Sequence, residues 1–304
     1  IHWLTGSEAK SYQEFQCLIV SAHSDTLVIL AREGERNELL DDALVDEVHG
    51  FGGGIAEDPI EAFATLARRL GVFQGRVGLE VPAYYLHPHH YERLKARLGS
   101  ALVAEPTALV AGLKMVKSPA ELAYIREAAH RADLAMERFA AELREGESEL
   151  SLAATVHDAL LRAESMLAAS PINLVSGERA CYSHGAPTPR RLCAGEHGSI
   201  EYGATCRRYT STIGRQFSLG PPGRRLQEVY DVVRRAADAC IGAIRDGVKA
   251  TVPHEAACAV IAEAGLAHGR VHLSGYGLAP GFSPGWSEPV HLFDANPYVL
   301  RAGM

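Results

Sequence analysis

The sequence predicts an α+β fold, on three observations. Short apolar runs alternate with helical patterns over the first 115 residues, amphipathic helices come in pairs after residue 117, and strand-like stretches lie between those pairs. A length of 304 residues exceeds one typical domain, so two packed units are expected. The boundary is placed after residue 115, giving a smaller α/β domain over 1–115 and a larger α+β domain over 116–304.

In chain order, the runs at 17–20 and 27–30 read as paired strands around a Ser24-Asp25 turn. Gly50-Phe-Gly-Gly-Gly54 reads as a flexible breaker; it lacks the Lys-Ser/Thr that a phosphate loop needs. Asp58 and Pro59 open a helix to about residue 70, with Asp58 as cap and Pro59 in the first turn. A further strand is expected at 76–80.

The strongest local signal is Lys117-Ser-Pro-Ala-Glu121, a capping box of Ser118 and Glu121 with Pro119 in the first turn. The helix it starts carries Leu122, Ile125, Ala129, Ala132, Met136, Phe139 and Leu143 at steps of three and four, so one face is buried. Further helices are expected at 148–167, 226–244 and 253–264, the last stopped by Gly265. Strands are expected at 172–175, 199–202, 209–219 and 271–274. Paired helices with strands between them imply a sheet that carries its helices on one face.

Composition removes several classes. A chain that is 47% hydrophobic and 22% charged has enough apolar side chain for a core, and no apolar run reaches the roughly 18 residues of a membrane span. Thirty Lys and Arg against 37 Asp and Glu give a net charge of −7 without a basic stripe, so nucleic acid is not an expected partner. Six scattered cysteines without metal-ligand spacing fit free thiols in a cytoplasmic protein. With Ile1 at the start and Leu300-Arg-Ala-Gly-Met304 at the end, the chain is expected to be a fragment truncated at its C terminus.

The second part resembles the creatinase/prolidase/aminopeptidase P superfamily, whose catalytic domain has the pita-bread fold. The residues that carry the resemblance, in order, are the 117–121 box with Ile125-Arg126, Ser176-Gly177, Cys181-Tyr-Ser-His184-Gly185, Arg191-Leu192 with Gly195, Ile200-Glu-Tyr-Gly-Ala204 continuing to Tyr209, Ser211 and Arg215, and Gly275-Tyr-Gly-Leu278. The first part resembles, loosely, the creatinase-type domain that accompanies it. Peptidases of the superfamily hold two divalent metals with two Asp, one His and two Glu. By resemblance the two Asp positions match Glu201 and Thr212, the His position matches Tyr276, and the Glu positions fall after Met304. A neutral hydroxyl and a phenol are poor substitutes for a carboxylate and an imidazole on hard cations.

The resemblance therefore implies a metal-independent hydrolase of a C–N bond in a small nitrogen-rich molecule, most like ectoine hydrolase, with no cofactor. Gly275-Tyr276 and the Pro/Trp-bearing stretch to Trp286 and Glu288, expected to be a loop, carry that likeness. The catalytic residues expected from it are His184, Glu201 and Tyr276. His184 would move the protons, Glu201 would pair with a delocalised substrate cation or orient His184, and the Tyr276 hydroxyl would donate to an oxyanion or fill space. Arg207, Arg215, His272 and Trp286 are the expected substrate-binding residues, with Arg208, Phe282 and Glu288 weaker. Strand alternation is expected to put Arg207, Tyr209, Ser211 and Arg215 on one face and Arg208 on the other.

Cys181 is not the expected nucleophile, since an extended segment points it away from His184. Two alternatives stay open: an Xaa-Pro metallopeptidase with two Mn or Co ions, and a non-catalytic relative that binds peptide in the same cleft. A small-molecule substrate and a homodimer are expected partners on the same resemblance.

Overall fold

The computed structural model describes residues 1–8, 13–81 and 85–304. The chain divides into two compact units, residues 1–113 and 114–304.

In the first unit, strand β1 (Cys17–Val20) pairs antiparallel with β2 (Leu27–Arg32), and β2 pairs parallel with β3 (Glu47–Phe51). Helix α1 (His2–Thr5) precedes them, and α2 (Arg36–Asp42) lies between β2 and β3. After them come α3 (Pro59–Arg69), β4 (Val77–Gly78), α4 (Pro88–Leu98), β5 (Leu102–Ala104) and α5 (Leu109–Lys114), with β4 and β5 paired in parallel. Asp58 caps α3 by accepting from the Ile60 and Glu61 amides, as its position before Pro59 requires. Gly50 is part of β3 rather than a breaker. A Cβ there would overlap the Glu33 carboxylate and lie 2.8 Å from the Glu33 Cα, so the glycine serves close backbone approach.

The second unit begins with α6 (Pro119–Glu142), started by the Ser118–Glu121 capping box, and α7 (Glu149–Arg162), capped by Ser148. Strands β6 (Asn173–Ser176), β7 (His197–Cys206) and β8 (Tyr209–Ser218) follow, then α8 (Arg224–Ala243), α9 (Thr251–Glu263), β9 (Gly275–Phe282) and β10 (Gly285–Leu292). The five strands form one antiparallel sheet in the order β10-β9-β8-β7-β6.

Two cores hold this unit. Ala132, Ala135 and Phe139 of α6 and Leu152, Val156 and Leu160 of α7 pack with Leu174, Ile200, Tyr202, Ala204 and Ile213 of the sheet. Val232, Ala236 and Cys240 of α8 and Ala257 and Ile261 of α9 pack with Val290 and Leu292 of β10. Each fully buried aliphatic side chain is worth about 1.5–3 kcal/mol of transfer free energy, so these clusters dominate the unit's stability.

Three elements differ from the sequence reading. Helix α7 stops at Arg162 rather than 167, because Glu164 turns into the left-handed region and the Ser165 amide reaches back to the Leu160 carbonyl. Residues 271–274 are not a strand. The stretch from Gly275, expected to be a loop, is instead the β9–β10 hairpin, whose glycines leave room for the bulky residues opposite: a Cβ at Gly275 would meet Leu292, and one at Gly281 would meet Trp286.

Candidate active site

Strand pleating sorts the side chains of β7 and β8. Ile200, Tyr202, Ala204 and Ile213 point to α6 and α7, so their neighbours Glu201, Gly203, Thr210 and Thr212 line the opposite face. Gly203 is the cross-strand partner of Thr212, and Glu201 sits opposite Gly214. Glu201 is half-buried and accepts from Asn173 Nδ2 at 3.3 Å, across the β6–β7 pair.

Trp286 closes on this face. A Cβ at Gly203 would lie 3.1 Å from Trp286 Cζ3, so the indole takes the space that glycine leaves, and its Nε1 donates to the Tyr276 hydroxyl at 3.1 Å. Trp286 is 8% exposed; it packs Tyr276 into place rather than presenting an open ring to a ligand.

His184 and His272 meet, with ring centroids 6.2 Å apart and planes at 71°. His184 follows β6 and His272 precedes β9, so the contact spans the two strands between them. Helices α6 and α7 pack on the face of Ile200 and Tyr202, opposite the face that carries Glu201 and Thr212. The backbone fixes His184 from one residue on: the Leu174 amide donates to the Gly185 carbonyl at 2.9 Å, and a Cβ at Gly185 would overlap Val175 Cγ1. Both imidazoles are exposed.

The arginines fall elsewhere. Arg207 and Arg208 are the two central residues of the β7–β8 turn, with φ of 49° and 65°, the left-handed pair that a two-residue hairpin demands. The alternation expected for Arg207 and Arg208 therefore does not hold. Arg207 is exposed and Arg208 lies over the Phe282 ring at 4.9 Å. Arg215 shares the parity of Ile213, lies within charge range of the Tyr202 hydroxyl at α6, and donates to the Gly214 carbonyl. It is on the helix side of the sheet, away from Glu201, which removes it from the substrate-binding set. Cys181 donates to the Glu178 carbonyl, away from His184. Glu288 is fully buried against Lys117 Nζ, and burial pushes its carboxyl above the usual range more than Lys117 pulls it down.

Whether these residues suit the two-metal centre of the superfamily is decided by their donors. One carboxylate, one threonine hydroxyl and one phenol already bonded to an indole N–H do not make a dinuclear cation site, and among the described residues no group of three His, Cys, Asp or Glu is placed to hold an ion.

Asn173 and Glu149 are not among the residues that the sequence marks as functional, and Gly203 is marked there only as part of a motif. Their signals are cross-strand or long-range, and a single strand or helix pattern does not contain them.

Comparison with known proteins places the chain among relatives. Residues 123–304 match metallopeptidase family M24. The uncharacterized hydrolase/peptidase y4tL of Sinorhizobium fredii is 26% identical over 100% of this chain and 79% of its own length. The crystal structure of a dipeptidase from Pyrococcus horikoshii superposes with a TM-score of 0.85 at 26% identity, over 100% of this chain and 81% of that one. A prolidase from the same organism gives 0.84 at 21% identity over 100% and 81%, a likeness of fold alone.

Proposed function

The chain belongs to metallopeptidase family M24, with the pita-bread fold and a hydrolase's action on C–N bonds, and from that premise we propose that it cleaves the amide of a small dipeptide-like substrate by proton transfer through His184. The substrate class follows the dipeptidase likeness, which supports the peptidase alternative better than ectoine hydrolysis. The observation that carries the proposal is the His184–His272 contact, which joins the segments that flank β7 and β8.

In this reading His184 accepts a proton from water, the water oxygen bonds to the carbonyl carbon, the C–N bond breaks, and His184 returns the proton to the leaving nitrogen. Imidazole suits this because it exchanges protons near neutral pH. His272 sits at the ring edge to orient His184. Glu201 faces the substrate's positive end, and the Tyr276 hydroxyl, accepting from Trp286, keeps its own proton free to donate to the developing oxyanion. Metals, if the family's two-metal chemistry operates, would need donors beyond those described.

The second reading, ectoine hydrolysis, rests on Tyr276 where the family's peptidases carry a metal-binding His. A panel of Xaa-Pro dipeptides, ectoine and creatine separates the readings. Dipeptide turnover that falls at least about a hundredfold in a folded His184→Ala variant supports the proposal. Ectoine turnover alone moves the substrate to the second reading. A folded protein that turns over none of them is a binding protein, and an active His184→Ala variant removes His184 from the chemistry.

A further inference from the structure

His184 sits on the segment between β6 and β7, and both ends of that segment converge on one buried carboxylate. Glu149, the first residue of α7, has a side chain that is 0% exposed. Its Oε1 accepts from Ser176 Oγ at 2.7 Å. Its Oε2 accepts from the Thr188 amide at 3.0 Å, from Thr188 Oγ1 at 2.8 Å and from Arg179 Nη1. Ser176 and Arg179 lie before His184 and Thr188 lies after it.

The same helix terminus holds the exit of the segment through its backbone. The Glu149 amide donates to the Arg190 carbonyl at 3.0 Å and the Leu150 amide to the Thr188 carbonyl at 3.1 Å, which satisfies donors that the first turn of a helix leaves free. Arg179 extends the clamp inward. Its Nη2 donates to the Ala186 carbonyl at 2.6 Å, two residues past His184, and its guanidinium lies over the Tyr182 ring, two residues before it.

A carboxylate in a dry site is costly unless it is well supplied with donors. Burial opposes the charge on Glu149, yet the hydrogen bonds from Ser176 and Thr188 and the charge of Arg179 outweigh it and hold the carboxyl below its usual range. The group is therefore an anion that four donors from both ends of one segment surround, and an apolar side chain of similar size would leave those donors unpaired.

We infer that Glu149 is a positioning residue for His184, acting through Arg179 and Thr188 to fix the imidazole against His272. The inference rests on the reading of His184 as the proton carrier, but its geometric half is testable without it.

The test follows the histidine ring resonances of the protein by NMR, with His184 assigned by its loss in His184→Ala, alongside turnover of the dipeptide or ectoine substrate that the full chain hydrolyses. In Glu149→Gln the His184 resonance shifts, kcat falls about tenfold to a hundredfold with KM within about threefold, and the pH dependence of kcat moves. Added to His184→Ala, the same substitution causes no further loss, since the two act as one unit. A folded Glu149→Gln protein with an unmoved His184 resonance and unchanged kcat overturns the inference, as does a loss that multiplies in the double variant. Should Glu149→Gln not fold, Thr188→Val removes one donor and keeps the backbone amide; a smaller shift in the same direction is expected, and an unmoved resonance overturns the inference. Full activity in His184→Ala overturns the proposed function, while the resonance still decides the positioning.

Discussion

Two buried carboxylates brace the candidate site, and their surroundings shift their proton affinity in opposite directions. Glu149 meets four donors and is held below the usual carboxylate range. Glu288, also buried, meets Lys117 Nζ through Oε2, while its Oε1 meets no hydrogen-bond partner among the described residues, and burial pushes its carboxyl up. Burial raises both carboxyls, and the larger set of donors outweighs it at Glu149 while Lys117 does not at Glu288. Glu149 holds the segment of His184, whereas Glu288 holds β10 to residue 117 at the start of the unit and lies beside Gly277, next to Tyr276.

Truncation should break the two clamps unequally. Glu149→Ala strands the Arg179 charge and the Thr188 and Ser176 donors, and the expected loss is about 3–5 kcal/mol in denaturant unfolding. Lys117→Met leaves Glu288 without its cation, but burial already favours the protonated form of that carboxyl. Its loss should be smaller, about 2–3 kcal/mol, and Lys117→Met with Glu288→Leu should recover most of it. Equal losses in the two single variants would dissolve the distinction.

Acid titration sharpens it further. Glu149 has a folded-state pKa below its unfolded value of about 4.3, so its contribution is complete above that value and is lost as the pH falls through the folded pKa. The stability of the wild type relative to Glu149→Gln should therefore rise with pH in that window. Glu288 has a folded-state pKa above about 4.3, so the wild type relative to Glu288→Gln should lose stability as the pH climbs from 4.3 to the raised value. Slopes of the same sign, measured by unfolding between about pH 3 and 7, would contradict the assignment of charge states.

At the small end stands Arg215, on the helix side of the sheet. Arg215→Ala should change stability by no more than about 0.5 kcal/mol and leave turnover within about twofold. A large rise in KM there would return Arg215 to the substrate face.

The two sides of the site also differ in how far the sequence discloses them. Helix α6 is legible because the capping box and the three-four apolar spacing are local, and β7 and β8 are legible because Ile200, Tyr202 and Ala204 alternate with polar or small neighbours. The β9–β10 hairpin is hidden because its glycines and prolines read as loop, and their purpose, making room for Trp286 and Leu292, exists only once the strands pair. Glu149 reads as an ordinary acidic residue in a helix's first turn, and its partners are 27 to 39 positions away. His184 and His272 are visible as residue types in family positions, but their contact is a property of the fold. Arg215 misled because alternation gives parity without saying which face the helices cover.

In the proposed function, proton transfer at His184 rather than a two-metal centre on the Glu201 face drives hydrolysis. The direct measurement is the turnover of the full chain after exhaustive chelation, with bound metal quantified in the same sample. Turnover of the hydrolysed substrate should be retained with far less than one metal per chain. Loss of turnover on chelation, restored by Mn or Co at about two ions per chain, would contradict it.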